Sequence, residues 1–248
     1  MSYIRYLIKF SYDGSKYEGY QKQLGSKKTV QKEIESVLRK LNSNEKVSLV
    51  ASGRTDRGVH AIAQYAHFDF KDSIPKEKLI YAMNRLLSKY IYIKDISIVD
   101  SAFHARFDVL RKRYKYIINI GEYNPILSDY EYQYNKDLNI SLMKEAIKLF
   151  EGEHDFKSFA KATDKRESYT RIIYETSIKL EDSKVIITFT GSGFLRYMVR
   201  NMVGLLIEIG EGKKKKEDIN RIFNKKDRKA SGKTALPEGL YLEEVWYK

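Results

Sequence analysis

The chain of 248 residues contains no cysteine. No disulfide can brace it, no thiolate can hold a metal, and no cysteine can act as a nucleophile. Long apolar runs are missing too. No stretch approaches the roughly 18 consecutive apolar residues of a membrane helix. The four histidines, His60, His67, His104 and His154, include no pair at i, i+3 or i, i+4, so the helical zinc spacing is lacking. Gly232-Lys233-Thr234 ends like a phosphate-binding loop, but Asp227 stands where that motif requires its first glycine. Gly191-Ser192-Gly193 is too short for a dinucleotide fingerprint and reads better as a strand-to-helix turn. No Ser-His-Asp set follows from spacing. The opening MSYIRYLIKFSYDG alternates like a strand and carries no signal-peptide core. These absences lead us to expect a soluble, cytoplasmic, globular protein with no metal and no cofactor.

Enough is present to fold. Hydrophobic residues make up 42% and aromatic residues 13% of the chain, sufficient for a core. Lys and Arg number 46 against 33 Asp and Glu, a net charge of +13. Such an excess points to a polyanionic partner, RNA or DNA before an anionic membrane.

The first half reads as β-α-β-β-α-β, the ferredoxin-like order. A strand over residues 3–12 puts Tyr6, Ile8 and Phe10 on one face. Thr29 suits the N-cap of a helix whose stripe is Val30, Ile34, Val37, Leu38 and Leu41. Residues 46–51 and 61–70 alternate as strands. Pro75 suits the first turn of a helix with a core face of Leu79, Ile80, Met83, Leu86 and Leu87, and 91–99 is a further strand. The second half repeats the logic less cleanly. It has strands at 111–120, 169–181, 184–190 and 240–247, a helix near 140–150, and an apolar helix over about 195–210. The reading is α+β, with a boundary near residue 105: subdomain 1–105, then subdomain 106–248 completing an active-site cleft. Residues 213–233 hold ten Lys or Arg against three acids. That run, beginning with Lys213, Lys214, Lys215 and Lys216, is either a solvated helix face or a phosphate-contacting patch.

The most informative segment is Ala51-Ser52-Gly53-Arg54-Thr55-Asp56-Arg57-Gly58-Val59-His60-Ala61, between two expected strands. Two glycines bracket it, so the backbone can turn sharply. One carboxylate lies between two guanidinium groups, which favours its ionised form. Such a carboxylate can serve as a nucleophile beside a phosphate backbone. The plain structural alternative is an Asp56 that caps the turn and pairs with Arg54 or Arg57.

The string SGRTDRGVHA resembles the signature of the TruA family of tRNA pseudouridine synthases, and the resemblance runs through nearly the whole chain. FSYDGSKYEGYQKQ resembles the family's first strand and loop, and Thr29-Val30-Gln31 its first helix start. FHARF at 103–107 and RYKY at 113–116 resemble the segment that crosses between subdomains. FLRYMVRN at 194–201 resembles the start of the C-terminal helix, and EGLYL at 238–242 the closing strand. The resemblance implies two RRM-like subdomains with antiparallel sheets and no cofactor. It also implies a homodimer acting on uridines 38, 39 and 40 of the tRNA anticodon arm.

By matching position, the resemblance makes Asp56 the catalytic aspartate and Arg54 a basic residue that helps draw the target base out. Tyr114 becomes the tyrosine against the target uracil, Arg200 the arginine that pairs with the catalytic carboxylate, and Leu240 an apolar pocket residue. Arg57 joins Lys213–Lys216 as an RNA contact. Taken alone, Tyr114 and Leu240 read as core, and Arg200, four residues after Arg196, as part of a basic helix face. The chain departs from the family pattern at Tyr20, where tryptophan is usual, and at Ala235-Leu236-Pro237, where Ala-Pro is usual. A paralogue acting on another RNA site, and a non-catalytic RNA-binding protein, are the alternatives.

Overall fold

The structure, a computed structural model, describes residues 3–23, 25 and 28–248. Met1 and Ser2, the start of the alternating N-terminal stretch, lie outside the described residues. Two compact units divide the chain: Met1–Leu110 together with Tyr241–Lys248, and Arg111–Leu240. The last strand thus belongs with the first unit, whereas the sequence reading runs the second subdomain from 106 to 248.

The first unit follows the expected order: β1 (Ile4–Tyr12), α1 (Val30–Leu41), β2 (Val50–Ala51), β3 (His60–Phe70), α2 (Lys76–Leu86) and β4 (Ile91–Val99). Strand β1 pairs antiparallel with both β3 and β4, so Ile8 sits between Ala66 and Ile96. Tyr6, Ile8 and Phe10 are buried as their alternation requires, and so are Val30, Ile34 and Leu38 of the α1 stripe. Thr29 caps α1 by accepting the Lys32 N–H. Leu41 is only half-buried.

Three details differ from expectation. Pro75 is the N-cap of α2, one position outside the helix. Leu86 is 46% exposed, because the chain turns extended at Leu87, whose own side chain is buried as expected. The strand expected at 46–51 pairs only through Val50 and Ala51. Val47 and Leu49 are buried on the expected alternation. The Leu49 backbone, however, is satisfied by α1 side chains: its N–H donates to Glu35 and its carbonyl accepts from Gln31.

The outer edge of β3 is shared. β2 covers it at Ala66 and His67, and β10 (Leu240–Tyr247) pairs parallel with it at His60 and Ala61. The segment between these pairings, Ser52–Val59, leaves the sheet as a loop.

His67 is buried, and its Nδ1 accepts the Ala105 N–H at 3.0 Å. Burial, and then the nearby Arg5 charge, pulls its pKa from 6.5 down to about 4. The unfolded chain therefore binds a proton between those values that the folded chain does not. Stability from this site is complete above pH 6.5 and falls as the pH drops towards 4. His67→Asn, whose side-chain oxygen can still accept the Ala105 N–H, should flatten the dependence of urea midpoint on pH in that window. An unchanged slope would remove His67 as its source.

Strand β5 (Val109–Asn119) leads into the second unit, followed by β6 (Tyr132–Gln133), α3 (Ile140–Ile147), β7 (Gly152–Asp155), β8 (Thr170–Glu181), β9 (Lys184–Gly191), α4 (Met198–Gly210) and α5 (Asp218–Lys225). β9 lies between β5 and β8, antiparallel to both, and β7 extends the sheet beyond β8. Asp182 takes a positive φ of 52° in the two-residue β8–β9 turn. Phe150, Phe156, Phe159 and Phe223 form a buried aromatic cluster with ring centroids 5.3–6.1 Å apart.

Every residue of α4 is buried except Arg200 and Glu208. An almost wholly apolar helix of this kind belongs inside a fold. It begins at Met198 rather than near 195, because Tyr197 before it adopts left-handed backbone with φ 67°. The basic run 213–233 is not one charged face. It contains α5, whose Ile219, Ile222 and Phe223 point into the core. Both units are therefore α+β. Among the described residues no helix is long and apolar enough to cross a membrane.

Candidate active site

The Ser52–Val59 loop is fastened to the first unit at several points. The Ser52 hydroxyl donates to Gln64 Oε1 at 2.6 Å, and Gln64 Nε2 donates to the Gly53 carbonyl at 3.1 Å. Gln64 is fully buried, so both ends of its amide are committed to this loop and to the Tyr65 N–H. Thr55 Oγ1 lies 2.7 Å from the Tyr12 hydroxyl in a buried hydrogen bond. Burial pushes the Tyr12 phenol up to about 12, which keeps it a neutral partner. The Thr55 carbonyl accepts the Tyr20 N–H at 3.1 Å. Asp56 closes a turn by accepting the Val59 N–H, and Gly58 provides the positive φ of 79° that the turn needs.

This fastening decides what the loop presents. Thr55 is buried, Asp56 is half-buried, and Arg54 and Arg57 are exposed. A carboxylate on an immobilised backbone, flanked by two solvent-facing guanidiniums, suits attack on a substrate that carries phosphates. Behind the loop, Gly14 packs so closely that a Cβ there would sit 2.0 Å from the Val59 carbonyl oxygen. Its N–H donates to His60 Nδ1 at 3.1 Å. Sequence reasoning singled out Asp56 and both arginines but missed Tyr12, Gly14, Gln64 and His60 as their support. The signals were there: a polar Gln64 inside an apolar alternation, and a glycine directly after Tyr12-Asp13.

The second unit holds the remaining residues. Tyr114 is buried on β5 opposite Phe189, with its ring edge-on to Phe194 at 5.0 Å. Two residues along, on the same face, the Tyr116 hydroxyl donates to the Leu236 carbonyl at 2.6 Å. The Ile117 N–H donates to the Gly239 carbonyl. These bonds seat the 236–239 turn against β5 and fix the start of β10 at the buried Leu240. Arg200 projects from the first turn of α4. Its Nε donates to the Ala235 carbonyl at 2.7 Å, and its guanidinium carbon lies 5.1 Å from the Tyr197 ring centre. Lys213, Lys214 and Lys216 stand within 3.0 Å of Glu211, Glu208 and Glu145 respectively, and the Lys215 N–H caps on Asp218.

A family model described as tRNA pseudouridine synthase matches residues 8–108 and 146–248, which takes in the Asp56 loop and α4. The class so defined is the enzymes that isomerise uridine within RNA. The chain is 42% identical over 238 residues to tRNA pseudouridine synthase A of Geobacillus sp. (strain WCH70), covering 96% of each chain. It is 43% identical over 243 residues to the protein of that name from Pseudothermotoga lettingae, covering 97% of this chain and 98% of the relative. It is 41% identical over 247 residues to the one from Streptococcus agalactiae serotype Ia, covering 98% and 95%. The chain belongs to the tRNA pseudouridine synthase family, and its activity is the isomerisation of uridine in tRNA.

Proposed function

We propose that this chain converts uridines 38, 39 and 40 of the tRNA anticodon arm to pseudouridine, with Asp56 as the reacting carboxylate. The observation that supports it is the fastened SGRTDRGVHA loop, which holds Asp56 on a rigid backbone between two exposed arginines. In the reaction the N1–C1′ bond breaks, the base turns, C5 bonds to C1′, C5 gives up its proton and N1 gains one. Nothing is oxidised and no group is imported. One carboxylate suffices for any of three routes: attack on C1′ to hold the ribose as an ester, attack on C6, or removal of a C2′ proton to give a glycal.

The supporting roles follow the family resemblance. Arg54 helps draw the base out, against an unstacking cost of a few kcal/mol. Tyr114 offers a ring face to the uracil and a hydroxyl near C5, Arg200 keeps Asp56 ionised, and Leu240 excludes water. Arg57 and Lys213–Lys216 add phosphate contacts. On this reading the enzyme works in the cytoplasm as a homodimer, with RNA spanning both subunits.

Mapping pseudouridine in RNA from a strain lacking the gene tests the site choice. Loss confined to positions 38–40 of tRNA is the expected result. Loss at another RNA site would assign the chain to a paralogue of different specificity. An unchanged map, with growth restored by Asp56→Asn, would make it a non-catalytic RNA-binding protein.

A further inference from the structure

Arg200, Gly204 and Glu208 lie four residues apart and so share one face of α4, which contains its only two residues that are not buried. A strap of chain runs along this face in the opposite direction. A Cβ on Gly204 would sit 1.9 Å from the Lys233 carbonyl oxygen, and one on Gly232 would sit 2.5 Å from the Glu208 carboxylate. The strap ends at Ala235, which makes two hydrogen bonds to Arg200. Its N–H donates to the Arg200 carbonyl at 3.0 Å, and its carbonyl accepts from Arg200 Nε at 2.7 Å.

What fixes the strap is Arg228. One terminal nitrogen donates to Ser231 Oγ at 3.0 Å and to the Gly232 carbonyl at 2.8 Å. The other donates to Thr234 Oγ1 at 2.6 Å and to Asn201 Oδ1 at 2.9 Å. The Thr234 hydroxyl donates in turn to Asn201 Oδ1 at 2.7 Å. Asn201 is fully buried, and its amide nitrogen donates to the Phe159 carbonyl at 2.6 Å. Ser231, also fully buried, donates to the Ser158 carbonyl. A planar guanidinium can hold four acceptors in one fork, which a lysine cannot. Arg228 lies in the basic run that looked like a phosphate patch, yet its donors are turned inward.

We propose that Arg228, acting through Asn201, Thr234 and the Ala235 carbonyl, is a positioning residue that sets the orientation of the Arg200 guanidinium. Its service is to the reaction and not to RNA docking. This inference rests on the reading above in which Arg200 keeps Asp56 ionised. A guanidinium free to swing about its Nε would hold the carboxylate less well, so the acid limb of the rate profile would move to higher pH.

Thr234→Val keeps the side-chain volume and removes the hydroxyl that accepts from Arg228 and donates to Asn201 beside their direct bond. It should lower kcat about ten-fold or more while leaving KM for tRNA within about two-fold, as misplacement of a group acting in the transition state does. The acid limb of kcat should rise by about one pH unit. Thr234→Ser should restore both. Arg228→Gln should behave like Thr234→Val, with parental salt dependence of tRNA binding, since no phosphate contact is lost. Arg200→Lys is the reference. If it moves the acid limb and Thr234→Val does not, Arg228 is no positioning residue. If neither moves the limb, the pairing of Arg200 with Asp56 fails and the positioning role falls with it. A reduced salt slope in Arg228→Gln would return Arg228 to the RNA-binding surface and overturn the proposal.

Discussion

Asp56→Asn should abolish product formation, lowering kcat by a factor of about 10⁴ or more, while tRNA still binds with near-parental affinity. The size follows from the role. An amide cannot open the reaction as a nucleophile or take a proton at neutral pH, and a loss of 10⁴ corresponds to about 5.5 kcal/mol of transition-state stabilisation. The retained affinity follows from the loop. Its conformation is set by Ser52, Gly53, Thr55 and the Val59 N–H, all bonded to groups other than the Asp56 side chain. Asn is isosteric with Asp, so Arg54 and Arg57 should stay where they are. Release of tritium from C5-labelled uridine in tRNA measures turnover, and a filter-binding titration measures affinity. Turnover near the parental rate would end the assignment of Asp56. Loss of binding together with turnover would mean that the carboxylate organises the loop, the plain structural alternative.

The first unit was largely legible because its elements carry their own periodicities. Tyr6, Ile8 and Phe10 alternate, Val30, Ile34 and Leu38 repeat on a helical stripe, and the structure buries all six. What escaped depends on contacts distant in sequence. Val47 and Leu49 alternate like a strand, but whether a buried extended segment finds a ladder partner is decided elsewhere, here by Gln31 and Glu35 of α1. The membership of Tyr241–Lys248 in the first unit rests on contacts distant in sequence, the parallel pairing with His60 and Ala61, the Lys9–Glu244 ion pair and the Tyr247 bond to the Ala105 carbonyl, which no local pattern announces. Helix α5 was masked by its lysines, although Ile219, Ile222 and Phe223 have helical spacing. The same contrast holds for the site. Asp56 stood out because an acid between two arginines is locally unusual. Arg228 did not, because a structural arginine and a phosphate-binding arginine look alike until the acceptors around them are known.

Gly14→Ala should lower turnover about 100-fold, well short of Asp56→Asn, without touching any reacting group. The added methyl would meet the Val59 carbonyl oxygen at 2.0 Å, the Val59 carbonyl carbon at 2.4 Å and the Val59 nitrogen at 3.0 Å. All three atoms are backbone, so no rotamer change can relieve the overlap. Contact at 3.0 Å or more requires one backbone to move by about 1 Å, and a displacement of that size at a reacting group costs about 10² in rate. The direction of yielding is set by the neighbours. Gly14 follows β1, which is paired on both sides, and its N–H is held by His60 Nδ1. Val59, itself buried, ends the loop and is held there by the Asp56 carbonyl. Strand β1 is paired residue by residue along both edges, whereas the loop is fastened at only a few points, so the strain should appear at Asp56, with kcat down about 100-fold. Stability should fall by about 1–3 kcal/mol, in the range of other overpacking changes. A urea titration and single-turnover kinetics on the same preparation separate the two effects. Parental kcat combined with lowered stability would show that β1 yields instead and that the loop keeps its geometry. Parental values of both would mean that Gly14 and Val59 are not in contact.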